Sequence, residues 1–396
     1  MSIFSATHKY ETVKLRVEDE LLLCCARTDV NSEIRDKILF LIQNDIDWDY
    51  LLKLASRHRL VPLLYHNINS ICPEMVPETI LADLKDYFNA NVRKNLMMTG
   101  ELIKVLNLLE SEGITAVPYK GPVLASMAYG NIGLREFGDI DIFIEKEEIV
   151  KAKEILVSSG YQIHLQLNSL QETMYFKFQR EYKFKSCNDV YIEIKWKFSV
   201  TSFSFLVDME QIFNQEHIDV EVNGYLFSSI PLEFLLLVLC IHNAGHYWSN
   251  LTWLCDISGL IGKYSINWHD LIVDSSKLGI KRILLINLFL ANDLLGLELP
   301  LVVQDELNLD QSIKKVSMLI KKRYFFKDKN KLGLIDKIVL RIKIRENFRN
   351  EIKDFVNLML IPTPNILKSR SLPIYLFPIY YLIRIIDLIK RYGKLT

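Results

Sequence analysis

Residues 113–145, GITAVPYKGPVLASMAYGNIGLREFGDIDIFIE, carry the pattern that decides the fold. In the last part, GDIDIFIE, Ile140, Ile142 and Ile144 alternate with Asp139, Asp141 and Phe143. Side chains two apart on a strand share a face, so the pattern predicts a strand whose isoleucines enter a core while Asp139 and Asp141 project together. Adjacent carboxylates repel and are costly to leave unpaired, and a divalent cation offsets that cost. Hard oxygen ligands one residue apart suit Mg²⁺, which keeps waters and completes its shell with substrate phosphates. Upstream, GITAVPYK predicts a short strand ending at Lys120, followed by Gly121 and a helix opened by Pro122. Proline is favoured at the first helical position, where its missing N–H costs nothing. Such a helix start offers free N–H groups and a positive dipole end, and Gly121 lets a phosphate approach the backbone.

Lys120-Gly121, Gly133-Leu134-Arg135 and Gly138-Asp139-Ile140-Asp141, in this order, resemble the nucleotidyltransferase superfamily. More closely, the stretch is similar to the uncharacterised bacterial nucleotidyltransferase-like family, in layout over about residues 20–270 and in specific motif over 118–145. The resemblance implies transfer of an NMP group from an NTP to an acceptor hydroxyl, with release of pyrophosphate. It implies two Mg²⁺ ions on Asp139, Asp141 and a third acid from a neighbouring strand, which Glu193 resembles in VYIEIKWKFSV. Glu193 or Asp141 would take the acceptor's proton. Gly121 would cradle the phosphates, and Lys120 and Arg135 would offset their charge. Three departures stand out. Pro122 replaces the Ser usual after the glycine, seventeen residues separate Gly121 from Asp139, and Lys195 stands where the family often has His. The other reading of Glu193 is a strand glutamate paired with Lys195 or Lys183.

The chain has 396 residues, half of them hydrophobic and 24% charged, an ordinary globular profile with no sign of disorder. Formal net charge is zero and no aromatic-basic stacking groove is evident, which argues against a nucleic-acid polymerase. Six scattered cysteines without C-x-x-C pairs fit reduced thiols, and MSIFSATHKYETVKL lacks the apolar core of a signal peptide, so a cytoplasmic protein is expected. LPIYLFPIYYLI at 372–383 has twelve residues and two prolines, too short to span a bilayer.

The expected architecture is α+β, a small mixed sheet of nucleotidyltransferase type flanked by helical regions. The boundaries are 1–112 for an N-terminal helical region, 113–230 for the catalytic core and 231–396 for a C-terminal helical region. Before Gly113 the apolar residues recur at three- and four-residue spacing, with Asp47 or Asn44 as a cap. Arg57, His58 and Arg59 read as a solvated helix end, the other reading being contact with substrate. YFKFQREYKFKS and VYIEIKWKFSV alternate around Cys187-Asn188-Asp189 and predict a β-hairpin. His242 and His246, four apart, share a helix face without a glutamate between them. With Trp253-Leu254 and Asp256 they resemble a segment of the family that walls the cleft. Residues 311–350 hold thirteen Lys or Arg against three acids, a solvated helix face or a surface for a polyanion or an acidic partner.

The acceptor, a small molecule or a protein, is not named by these residues, because fold does not choose substrate. The alternative is a catalytically degenerate nucleotidyltransferase fold that binds nucleotide or a partner without chemistry.

Overall fold

The computed structural model describes residues 15–198, 213, 215–326, 334–345, 356, 360–369, 376 and 378–392. The chain is an α+β protein. Helices α1 (Val17–Cys25), α2 (Ser32–Ile42), α3 (Trp48–His58), α4 (Val61–Ile71) and the long α5 (Glu78–Ser111) precede the sheet. Asp47 caps α3 by accepting from the Tyr50 N–H, and Gly113 turns the chain out of α5 with a positive φ.

The sheet holds β1 (Ala116–Pro118), β2 (Asp139–Ile144), β3 (Gln162–Ile163), β4 (Glu181–Lys185) and β5 (Tyr191–Lys195). Their spatial order is β1-β2-β5-β4-β3, with β2 and β5 parallel and the other neighbours antiparallel. Helix α6 (Pro122–Tyr129) joins β1 to β2, and α7 (Ile149–Ser158) and α8 (Ser169–Phe178) fall between β2 and β4. Ile140, Ile142 and Ile144 are fully buried, as the alternation requires.

Two details differ from the sequence expectation. The strand before Lys120 stops at Pro118, so Lys120 lies in the turn ahead of α6. The hairpin is β4-β5, but its predicted first half, YFKF, belongs to α8. Asn168 accepts from the Gln171 N–H while the Gln171 side chain accepts from the Asn168 N–H, and this capping box starts a helix that carries the aromatic residues with it. A separate hairpin, β6 (Ile218–Val222) and β7 (Tyr225–Ser229), turns at Asn223-Gly224, both at positive φ.

Helices α9 (Leu232–Gly245), α10 (Thr252–Lys263), α11 (Trp268–Lys277), α12 (Lys281–Leu295), α13 (Leu301–Leu309) and α14 (Gln311–Phe326) follow, then α15 (Leu334–Ile344), α16 (Pro364–Ser369) and α17 (Pro378–Tyr392). Among the described residues no helix is long and apolar enough to cross a membrane. Of the basic stretch 311–350, Lys321 pairs with Asp293 at 2.8 Å, and residues 327–333 and 346–350 lie outside the described residues. One hydrophobic cluster includes residues from α1 through the sheet to Tyr380 of α17.

Two packing devices set the sheet's charged end. Helix α5 grips the Gly-Leu-Arg loop: Asn91 Nδ2 donates to the carbonyls of Gly133 (2.9 Å) and Arg135 (3.2 Å), and Asn95 Nδ2 to those of Ile132 (2.6 Å) and Arg135 (2.8 Å). On its other side α6 lies against α10 so closely that a Cβ at Gly259 would stand 2.5 Å from the Ala128 carbonyl oxygen. Gly259→Ala gains helix propensity but must push α6 away, and it is expected to destabilise the fold by about 1–3 kcal/mol in a urea titration.

Candidate active site

Residues Lys120, Gly121, Arg135, Asp139, Asp141 and Glu193 all line one cavity of about 320 Å³, together with Arg59, Glu136, Phe137, Arg180, Glu181, Lys183, Lys195, His242, His246 and Trp253. Volume does not single it out, since two other cavities measure about 370 and 420 Å³. Its concentration of charge does.

The parallel register of β2 and β5 sets Asp141 beside Glu193, and the antiparallel register of β5 and β4 sets Glu193 beside Lys183. Two residues further along, Lys195 stands beside Glu181. Because positions two apart share a face, the sheet presents acids and lysines in a checkerboard. Lys195 Nζ lies 2.6 Å from Asp141 Oδ1, 2.8 Å from Glu193 Oε2 and 3.2 Å from Glu181 Oε2. Lys183 takes Glu193 Oε1 and lies 3.1 Å from Glu181 Oε1. Asp141 is only 3% exposed and also accepts from the Tyr119 hydroxyl at 3.2 Å.

These neighbours divide the carboxylates. Burial alone would raise the Asp141 carboxyl, but the ammonium groups of Lys120 and Lys195 outweigh it and hold it below the usual carboxylate range. Glu181 is likewise brought down to about 2, burial being outweighed by Lys195, Arg180 and Lys183. Asp139 moves the other way. Burial, then repulsion by Asp141 and Glu193, raises its carboxyl, and it has no hydrogen bond or ion pair to any described residue.

Gly121 joins β1 to α6 at φ 61°, with its Cα facing the Asp139 carbonyl; a Cβ there would meet that oxygen at 3.4 Å. The conformation requires glycine. Lys120 is buried, and its Nζ is hydrogen-bonded to His242 Nδ1 at 3.1 Å. Arg135 is also buried, and it is committed: Nε and Nη2 reach Asp256 Oδ1 and Oδ2 at 2.8 and 2.9 Å, and Tyr129 donates to the same Oδ1 at 2.8 Å. Arg135 therefore meets the cavity as half of a buried ion pair. Asp256 lies behind it, away from the lining.

His242, His246 and Trp253 form an aromatic wall, with ring centroids 4.5–5.1 Å apart. Burial and Lys120 hold His242 well below its ordinary value, and burial followed by Lys120 and Arg180 lowers His246 to about 4. Both rings are neutral near pH 7. A group with a depressed basic pKa binds fewer protons folded than unfolded, so stability is expected to climb with pH between about 4 and 6.5. The Glu181 contribution is lost separately, below about pH 4.5 and down through about 2. Melting temperature against pH checks this, and the double variant His242→Gln/His246→Gln should flatten the upper window alone.

Tyr119, Arg180 and Glu181 were not singled out by the sequence. Glu181 had a legible signal, sharing parity with Lys183 in the alternating EYKFK, whereas Tyr119 had none. Arg59, from the helix end at 57–59, lines the cavity at φ 56°; its neighbour His58 is buried and accepts from the Leu251 N–H.

The D-x-D strand and the Lys-Gly turn stand where the resemblance places them. The family model described as uncharacterised nucleotidyltransferase matches residues 44–296, more than half of the chain. The chain belongs to this nucleotidyltransferase family. The match begins before α3 and ends just after α12, so in this nucleotidyltransferase it takes in the α5 clamp and the His-Trp wall as well as the sheet. No curated protein matches. Among solved structures the chain is similar to the lincosamide antibiotic adenylyltransferase LnuA, lincomycin-bound, at 18% identity, covering 42% of this chain and 97% of that one with a TM-score of 0.28.

Donor chemistry decides how a metal fits. Among the described residues no three His, Cys, Asp or Glu side chains converge to hold an ion by themselves. Asp139 and Asp141, one residue apart on one strand face, fit Mg²⁺, which uses one or two carboxylates and draws its other ligands from water and phosphate. Glu193 fits less well, because each of its oxygens already accepts from a lysine.

Proposed function

We propose that this protein is an active nucleotidyltransferase that moves an NMP group from an NTP to a hydroxyl acceptor. The observation that carries the reading is Asp139: a largely buried carboxylate with no partner among the described residues, beside Asp141 and facing the Lys120-Gly121 turn across one cavity. A site that keeps an uncompensated carboxylate is poised for a cation. Mg²⁺ held by Asp139 and Asp141 would neutralise the triphosphate and polarise its α-phosphoryl group.

The remaining parts of the site position reactants. Gly121 brings backbone N–H groups of the α6 start to the phosphates, and the Lys120 ammonium adds charge. The acceptor oxygen attacks the α-phosphorus, the bond to the bridging oxygen breaks, pyrophosphate leaves, and the hydroxyl proton passes to solvent water. Because this chemistry demands positioning and charge neutralisation, no covalent nucleophile is needed. The neutral His246 and Trp253 offer an aromatic surface for the acceptor or the base.

A second reading, a fold that binds without chemistry, is favoured by the lysines on Glu193 and by Pro122 in place of a hydroxyl residue. Thermal shift with each of the four NTPs and Mg²⁺ separates the two. Ligand at a hundred times its Kd adds about 2.7 kcal/mol of stability. A Mg²⁺-dependent rise in melting temperature that disappears in Asp139→Asn is expected. No rise with any NTP would leave the non-catalytic reading.

A further inference from the structure

Lys195 sits where the chemistry of the fold would otherwise call for a cation. Its Nζ bridges Asp141 Oδ1 and Glu193 Oε2 across two neighbouring strands and also reaches Glu181 Oε2. An ammonium has three N–H donors, and three carboxylate oxygens of three different residues lie within ion-pair distance of this one. The side chain is 12% exposed, so little water competes for these contacts. The remaining oxygen of Glu193 is held by Lys183.

We infer that the Lys195 ammonium takes the place of a second divalent ion between Asp141 and Glu193, so that the site loads one ion and not two. This rests on the nucleotidyl-transfer reading above. An ion bridging Asp141 and Glu193 would meet the ammonium at contact distance and would have to expel it from a buried position. On the outer side of the carboxylate pair no ammonium bridges the two: Asp139 has no hydrogen bond or ion pair among the described residues, and Lys195 is bound to Asp141 through Oδ1. One divalent ion therefore enters from the Asp139 side, while a fixed monovalent charge remains on the Glu193 side. Lys195 acts through Asp141 and Glu193 and is in this sense a positioning residue.

The test counts ions. Wild-type protein, Lys195→Met and Lys195→Arg are each saturated with Mn²⁺ and a mixture of the α,β-methylene analogues of the four ribonucleoside triphosphates. Bound Mn²⁺ per bound nucleotide is read by electron paramagnetic resonance. The expected result is one ion in the wild type, two in Lys195→Met and one in Lys195→Arg. Two ions in the wild type overturn the inference and leave the nucleotidyl-transfer reading standing. So does a single ion in Lys195→Met, because the lysine is then not standing in for anything. If no nucleotide is retained, the nucleotidyl-transfer reading fails and this inference fails with it. Should Lys195→Met not fold, the wild-type count decides alone.

Discussion

Asp139→Asn weakens metal-dependent nucleotide binding by at least about 100-fold, the upper end of what loss of a group supporting a metal costs, while the melting temperature of the ligand-free protein stays the same or rises. The two halves of this result have one cause. Asp139 is largely buried, repelled by Asp141 and Glu193, and paired with no described residue. A carboxyl whose folded pKa is raised subtracts from stability once the pH exceeds its unfolded value, so a neutral isostere relieves the fold. The same charge is what a divalent ion needs. Asp141→Asn makes the contrast, since it strips Lys195 and Tyr119 of an acceptor and should lose stability as well as binding. Titration calorimetry with Mg²⁺ and NTP, beside melting curves without ligand, measures both. A melting temperature that falls in Asp139→Asn would mean that Asp139 has a structural partner, and unchanged binding would remove it from the metal site.

Asp256→Ala is expected to cost about 3–5 kcal/mol of folding stability, a large fraction of what a domain has. Asp256 is fully buried and holds Arg135 through two hydrogen bonds and Tyr129 through a third. Burial opposes the Arg135 charge and Asp256 more than restores it; because a guanidinium is not deprotonated in proteins, it stays charged and buried when its partner is removed. The double variant Arg135→Met/Asp256→Leu should recover most of the loss, because an apolar pair avoids the desolvation of both ions. Urea titration of the two single variants and the double reads the coupling directly. A loss below about 1 kcal/mol in Asp256→Ala would show that the pair is hydrated.

Much of the site was legible because it is local. The alternation in GDIDIFIE specified which side chains of β2 are buried, and Lys-Gly-Pro specified a turn into α6 at positive φ. Asp47 as a cap and Gly113 as a stop were equally local. The misread element was local too. Aromatic residues at 176 and 178 satisfy a two-residue period, but the capping box at Asn168 and Gln171 commits the segment to a helix before they are reached.

What the sequence determined by itself is therefore the composition of each element's faces: the acids of β2 on one side, Glu193 and Lys195 together on one side of β5, Glu181 and Lys183 together on one side of β4. Backbone periodicity enforces this whatever the neighbours are. The tertiary structure alone decided who meets whom. Asp141 lies beside Glu193 because β2 and β5 run parallel in that register, and Arg135 finds Asp256 121 residues away because α6 packs on α10 without a Cβ at Gly259. Lys120 meets His242 across 122 residues for the same kind of reason. A buried charge needs a partner in contact to offset its desolvation and is indifferent to sequence separation, so the partners follow from strand order and helix packing.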